Sequence, residues 1–178
     1  MAYFINLLTL SRIFLGAVIF VLLTRPEGYF LAFLLFFIAG ATDYFDGYLA
    51  RKYDLTSQVG EILDPIADKI LIVFVLFGLS VNLTSYFIAF MASLIITREI
   101  WVGALRDFNA RQKQSEATKV TFLAKIKTTI QLFTISIYLL GLTLNNMLLI
   151  LFGDMFLFIS LLITIYTGYL YTYNSFKN

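Results

Sequence analysis

Six long apolar stretches, roughly 4–24, 29–49, 60–81, 85–107, 123–144 and 147–172, take up most of the 178 residues. A bilayer core of about 30 Å needs about 20 helical residues at 1.5 Å each, so every stretch has the length of a membrane span. The breaks between them carry turn signals: Thr24-Arg25-Pro26-Glu27-Gly28, 51–59, 81–85, 108–120 and Asn145-Asn146. Only 13% of the residues are charged, about half the share in a soluble domain, which excludes a water-soluble globule. The expected fold is an all-α integral membrane protein with six transmembrane helices, forming a single domain over residues 1–178.

Positive residues are retained on the cytoplasmic side, so the 13 Lys and Arg give the orientation. With the amino terminus inside, all but Arg25 fall on or near the cytoplasmic face. Arg12 sits too late for a signal peptide and no small-residue cleavage site follows Leu23, so the first stretch is expected to be a permanent helix. The basic residues are scattered and form no stripe, and no nucleic-acid partner is expected.

The uncharged parts of the stretches are short. Ile13 to Thr24, Tyr29 to Thr42, Ile70 to Val81 and Tyr86 to Thr97 are twelve to fourteen residues long, which spans only about 18–21 Å. Charges must therefore enter the inner half of the membrane: Arg12 on the first helix, Asp43 and Asp46 on the second, Asp64 and Asp68 on the third, Arg98 and Glu99 on the fourth, Lys127 on the fifth. A charge at that depth costs roughly 2.5–3.5 kcal/mol or more, so these groups are expected to face one another in a polar funnel open to the cytoplasm. The sixth stretch carries only Asp154, near its outer end, where contact with water is the simplest expectation.

Histidine and cysteine are both absent. That excludes disulfides, thiolate or imidazole zinc sites and Ser-His-Asp hydrolysis, and leaves chemistry to carboxylates, cations, hydroxyls and a hard metal. Asp43 and Asp46 are three apart and Asp64 and Asp68 four apart, so each pair shares a helix face. Four converging carboxylates repel unless a cation lies between them, and an all-oxygen set suits Mg²⁺, Mn²⁺ or Ca²⁺. The alternative is structural: Asp43 and Asp46 marking a helix end, and Asp64 capping the third helix with Pro65 in its first turn. It accounts for Asp64 but not for four acids together. Gly47, Gly60 and Ala50 clear space beside the acids, although Gly60 equally suits close helix packing. Arg51 is a natural phosphate partner.

Asp43-Tyr44-Phe45-Asp46-Gly47-Tyr48-Leu49-Ala50-Arg51, followed after eight residues by Gly60, after three more by Asp64 and after three more by Asp68, resembles the signature of the CDP-alcohol phosphatidyltransferases. Eight fixed positions all match, an event on the order of 10⁻¹⁰ by chance at ~5% usage per residue. The resemblance implies a six-helix membrane fold, commonly homodimeric, that uses one or two Mg²⁺ or Mn²⁺ ions on a CDP-linked lipid. By position, Asp43, Asp46 and Asp64 would hold metal, and Asp68 would touch metal and act as general base. Gly47, Ala50, Arg51 and Gly60, with Asn6 and Thr9 from the opening Asn6 to Arg12 stretch, would line the donor site.

The acceptor is less tightly specified. Asn6 to Arg12, Leu63 to Lys69, Thr97 to Ile100 with Ala104 to Arg106, and Ala124 to Gln131 are similar to members that transfer phosphatidyl from CDP-diacylglycerol to glycerol 3-phosphate; Ala124 stands where those members usually have glycine. A dianionic acceptor needs cations beyond those serving the donor, and Arg106, Lys125 and Lys127 are the candidates for its phosphate. Lys113 and Lys119 are expected to be lipid-facing anchors. Acceptors such as serine, inositol or phosphatidylglycerol stay open, as does a cation transporter, although no polar path continues into the outer half. The implied location is a bacterial cytoplasmic membrane, with the active site facing the cytoplasm and membrane lipids around it.

Overall fold

The structure, a computed structural model, describes residues 2–53, 58–112 and 122–177; the side chains of 2–8, 44, 46–53, 58–62, 64, 65, 124 and 125 are not part of the description. Six α-helices make up the described residues: α1 (Ala2–Leu22), α2 (Tyr29–Tyr53), α3 (Gln58–Asn82), α4 (Tyr86–Arg111), α5 (Phe122–Thr143) and α6 (Met147–Phe176), with one 3₁₀ turn at Pro26–Gly28. Helix α1 packs between α3 and α2, α5 runs against α6, and α4 bridges α3 and α6.

The connections at one end of the bundle are tight and sequence-encoded. Ser85 caps α4 by accepting from the Ile88 amide, and Asn146 caps α6 by accepting from the Leu148 amide. Thr84 and Asn145 stand before these caps with φ of 47° and 49°, the left-handed conformation that reverses the chain in two or three residues. Asn82 ties the same end together, donating to the Leu23 carbonyl at 2.7 Å and to the Tyr29 hydroxyl at 2.6 Å.

Ile19, Leu23, Ala39, Val75, Leu79, Ile95, Ile135 and Leu139 form one buried core. The outside is as apolar as the inside: Phe14, Phe30, Phe90, Phe122, Phe133, Leu162 and Tyr169 are exposed. A water-facing surface does not carry apolar area on this scale, whereas one facing lipid does. Among the described residues, Tyr86–Arg111, Ile126–Thr143 and Met147–Phe176 are long and apolar enough to cross a membrane, and Thr9–Leu22 is a shorter apolar segment. The chain is an all-helical membrane protein.

The structural alternative for the acids does not hold. Helix α2 continues to Tyr53 and α3 begins at Gln58, so Asp43 and Asp46 do not mark a helix end and Asp64 is not a cap. The helix passes through Pro65, whose missing N–H removes one backbone bond beside the acids. Asp154, half-buried, accepts a 2.6 Å bond from the hydroxyl of buried Tyr138, and a buried phenol requires such a partner. Gly153 makes this contact possible: a Cβ there would lie 2.7 Å from the Tyr138 ring.

Candidate active site

Arg12 is the hinge of the first cluster. It is fully buried on α1, and its Nη1 donates to Asp43 on α2 and, at 2.7 Å, to Asp68 on α3. Thr9, one turn earlier, accepts from Nη2 at 3.5 Å. Burying a guanidinium is costly without counter-charges, and here two carboxylates from two other helices supply them. The expected inward pairing of intramembrane charges is thus met at this point. Asp43 and Asp68 are still about half exposed, at 48% and 45%, so the carboxylates open outward while the arginine closes the rear.

A second cluster joins α4, α5 and α6. Glu99 Oε1 accepts from Arg98 Nη1 at 2.8 Å and from Lys127 Nζ. Arg98 Nη2 also donates to Thr167 on α6 at 2.6 Å, and Gly168 leaves room for the arginine stem, since a Cβ there would lie 3.0 Å from Arg98 Cγ. The guanidinium carbons of Arg98 and Arg106 stand 5.8 and 5.7 Å from the centre of the Tyr171 ring, within cation–π range. Asn109 to Ser175 and Trp101 to Thr172, both 2.8 Å, extend the α4–α6 seam.

One cavity of about 880 Å³ connects the two clusters. Asp68 and Lys69 stand on its α3 wall, Arg98, Glu99, Arg106 and Asp107 on its α4 wall, Lys127 and Gln131 on α5, and Tyr171 on α6, with Ile70, Val73, Ile95 and Ile96 as apolar lining. Among the described residues four cations here face three carboxylates, an excess suited to an anion next to Asp68.

The structure therefore brings together Thr9, Asp43 and Asp68 at Arg12, and places Arg106 and Lys127 in the same cavity as Asp68. Lys127 is not a lone clamp, because it shares its charge with Glu99. The side chains of Asn6, Asp46, Gly47, Ala50, Arg51, Gly60, Asp64 and Lys125 lie outside the described residues, as do Lys113 and Lys119 altogether. Thr167 and Tyr171 were missed, since α6 carries no motif. A signal existed: Ser160, Thr164, Thr167, Gly168, Tyr171 and Ser175 are small or hydroxyl-bearing, recur at helical spacing, and are all buried.

Among the described residues no group of three or more acids stands together; Asp43 and Asp68 offer carboxylate oxygens, the donor type a hard cation takes, and in this structure both bond Arg12.

The sequence pattern described as CDP-alcohol phosphatidyltransferase matches residues 3–166. The chain belongs to the CDP-alcohol phosphatidyltransferase family. It is 42% identical over 171 residues to a Rickettsia bellii (strain RML369-C) protein named CDP-diacylglycerol–glycerol-3-phosphate 3-phosphatidyltransferase, covering 93% of this chain and 91% of the relative. A Rickettsia typhi (strain ATCC VR-144 / Wilmington) protein of the same name is 40% identical over 171 residues, with 93% of both chains covered. An Escherichia coli (strain K12) protein, again of that name, is 33% identical over 133 residues, covering 74% of this chain and 73% of its own length. That family generally uses divalent metal.

Proposed function

We propose that this phosphatidyltransferase moves the phosphatidyl group of CDP-diacylglycerol onto glycerol 3-phosphate, giving phosphatidylglycerol phosphate and CMP. The observation that carries the acceptor choice is the single cavity holding both Asp68 and the cations Arg106 and Lys127. A dianionic phosphate beside carboxylates needs fixed positive charge, and a neutral acceptor such as serine's hydroxyl end or inositol does not. The names of the relatives point to the same acceptor.

In the mechanism, the donor's pyrophosphate lies at the Asp43 end, with Arg51 and the small residues Gly47, Ala50 and Gly60 beside the nucleotide and Asn6 and Thr9 completing the donor site. Mg²⁺ or Mn²⁺, held by Asp43, Asp46, Asp64 and Asp68, would neutralise the pyrophosphate. Arg12 orients Asp68 from the rear by its 2.7 Å bond. Asp68 takes the proton of the acceptor's primary hydroxyl, the oxygen attacks the lipid-side phosphorus in line, and the bond to CMP breaks. No serine in the chain has a histidine to activate it, which favours direct displacement over a covalent intermediate. The six helices would all span the membrane of a bacterial cell, with the funnel toward the cytoplasm where both substrates' polar groups reside, and two copies would pair as a homodimer.

Lys127 and Lys125 are two apart and point about 200° from each other on a helix, so one of them at most faces the acceptor directly. Lys127 has that role, with Arg106 as the second clamp. Removing one hydrogen bond to a charged group costs ~1.5–3 kcal/mol. Lys127→Ala and Arg106→Ala are each expected to raise the KM for glycerol 3-phosphate by roughly one to two decades while leaving CDP-diacylglycerol affinity nearly unchanged. Steady-state kinetics in each substrate checks this, and equal weakening of donor and acceptor would contradict it.

A further inference from the structure

Gln131 lies one turn beyond Lys127 on α5 and forms part of the cavity wall. It is only 5% exposed, and its amide nitrogen is buried with no hydrogen-bond partner among the described residues. A buried donor left unmet is unfavourable, and such groups in folded proteins are few. The other buried side-chain atoms in this condition include the hydroxyls of Ser160 and Thr164, but neither residue belongs to the cavity wall. Arg98 Nε is also unmet on this wall, but that guanidinium already bonds Glu99 and Thr167 through its other nitrogens; Gln131 is the neutral side chain there, among the described residues, whose one donor nitrogen is unmet.

A carboxamide is neutral and both donates and accepts, so its natural counterpart is a group of the same kind. The phosphate of the acceptor is served by the cations Arg106 and Lys127, and the primary hydroxyl by Asp68. Resting on the acceptor reading above, we infer that Gln131 is a specificity-determining residue that hydrogen-bonds the secondary hydroxyl of glycerol 3-phosphate. The apolar wall at Ile95 and Ile96 then excludes water from that bond. A site built around a substrate hydroxyl discriminates against the analogue that lacks it, because the protein's own group is then left unpaired.

The test compares glycerol 3-phosphate with 3-hydroxypropyl phosphate, which keeps the chain, the phosphate and the primary hydroxyl and lacks only the secondary one. The full chain in detergent, supplied with CDP-diacylglycerol and Mg²⁺, is expected to prefer glycerol 3-phosphate by about 10- to 100-fold in kcat/KM. Gln131→Met, of similar length and without hydrogen-bonding capacity, is expected to bring the two acceptors near parity. Gln131→Asn, which withdraws the amide by one methylene, should reduce the preference as well. Equal use of both acceptors by the unaltered protein overturns the inference even if neither variant folds, and so does a preference that survives in either variant. Transfer to inositol or serine with none to either phosphate would instead overturn the glycerol 3-phosphate reading, and the inference with it.

Discussion

Asp43→Asn, Asp46→Asn and Asp64→Asn are each expected to abolish turnover, and excess EDTA is expected to do the same to the unaltered protein until Mg²⁺ or Mn²⁺ is restored. The substitution keeps the side chain's shape and removes its charge, so a loss reports on the need for negative oxygen donors. At Asp43 a second consequence follows, because Arg12 is fully buried and one of its two described carboxylate partners would be gone. Uncompensated buried charge destabilises, so the thermal midpoint of Asp43→Asn has to be read beside its activity. Asp46→Asn and Asp64→Asn provide the comparison. Metal-dependent binding of CDP-diacylglycerol should weaken in all three. Full activity after metal stripping in excess chelator would remove the metal from the account.

Asp68→Asn is expected to lower kcat by about 10²–10⁴-fold, the range that a positioned general base contributes, while donor binding persists. Asn still accepts a hydrogen bond from Arg12 but leaves that buried guanidinium one carboxylate short, as at Asp43, so the thermal midpoint is read beside kcat here too. What is lost is the ability to take the acceptor's proton. Because the attack is direct, configuration at the transferred phosphorus should invert. Retention of configuration, or a phosphatidyl group trapped on the protein, would show a double displacement and leave Asp68 in some other role.

The reach of the sequence differs between the two ends of the bundle. Where Ser85 and Asn146 cap helices after left-handed Thr84 and Asn145, polar turn chemistry interrupts apolar sequence, and the breaks were legible to within a residue. At the other end the expected limits were early: α2 runs four residues past 49 to Tyr53, α4 four past 107 to Arg111, and α6 four past 172 to Phe176. Hydropathy marks where lipid ends, not where a helix ends, and residues such as Ala50, Arg51, Lys52, Ala110 and Arg111 favour helix in water too.

Within the site, the pairing of Arg12 with the acids followed from the cost of charge inside a membrane. The 2.8 Å contact between Arg98 and Glu99 is one case of those charges facing one another. Lys127 was expected among these inward-facing charges, but not its bond to Glu99, which depends on how α5 is rotated toward α4 and which no local pattern encodes. Tyr171 escaped for a related reason: aromatic residues are plentiful on α6, and only packing separates the buried Tyr171 from the exposed Tyr169 and Tyr173.

The most direct measurement of the central claim is an acceptor panel. Purified protein is given CDP-diacylglycerol and Mg²⁺ with glycerol 3-phosphate, serine, inositol or phosphatidylglycerol in turn, and CMP release and lipid product mass are recorded. CMP and phosphatidylglycerol phosphate are expected in equal amounts with glycerol 3-phosphate, and no lipid product with the other three. Transfer to serine, inositol or phosphatidylglycerol, with none to glycerol 3-phosphate, would contradict that claim.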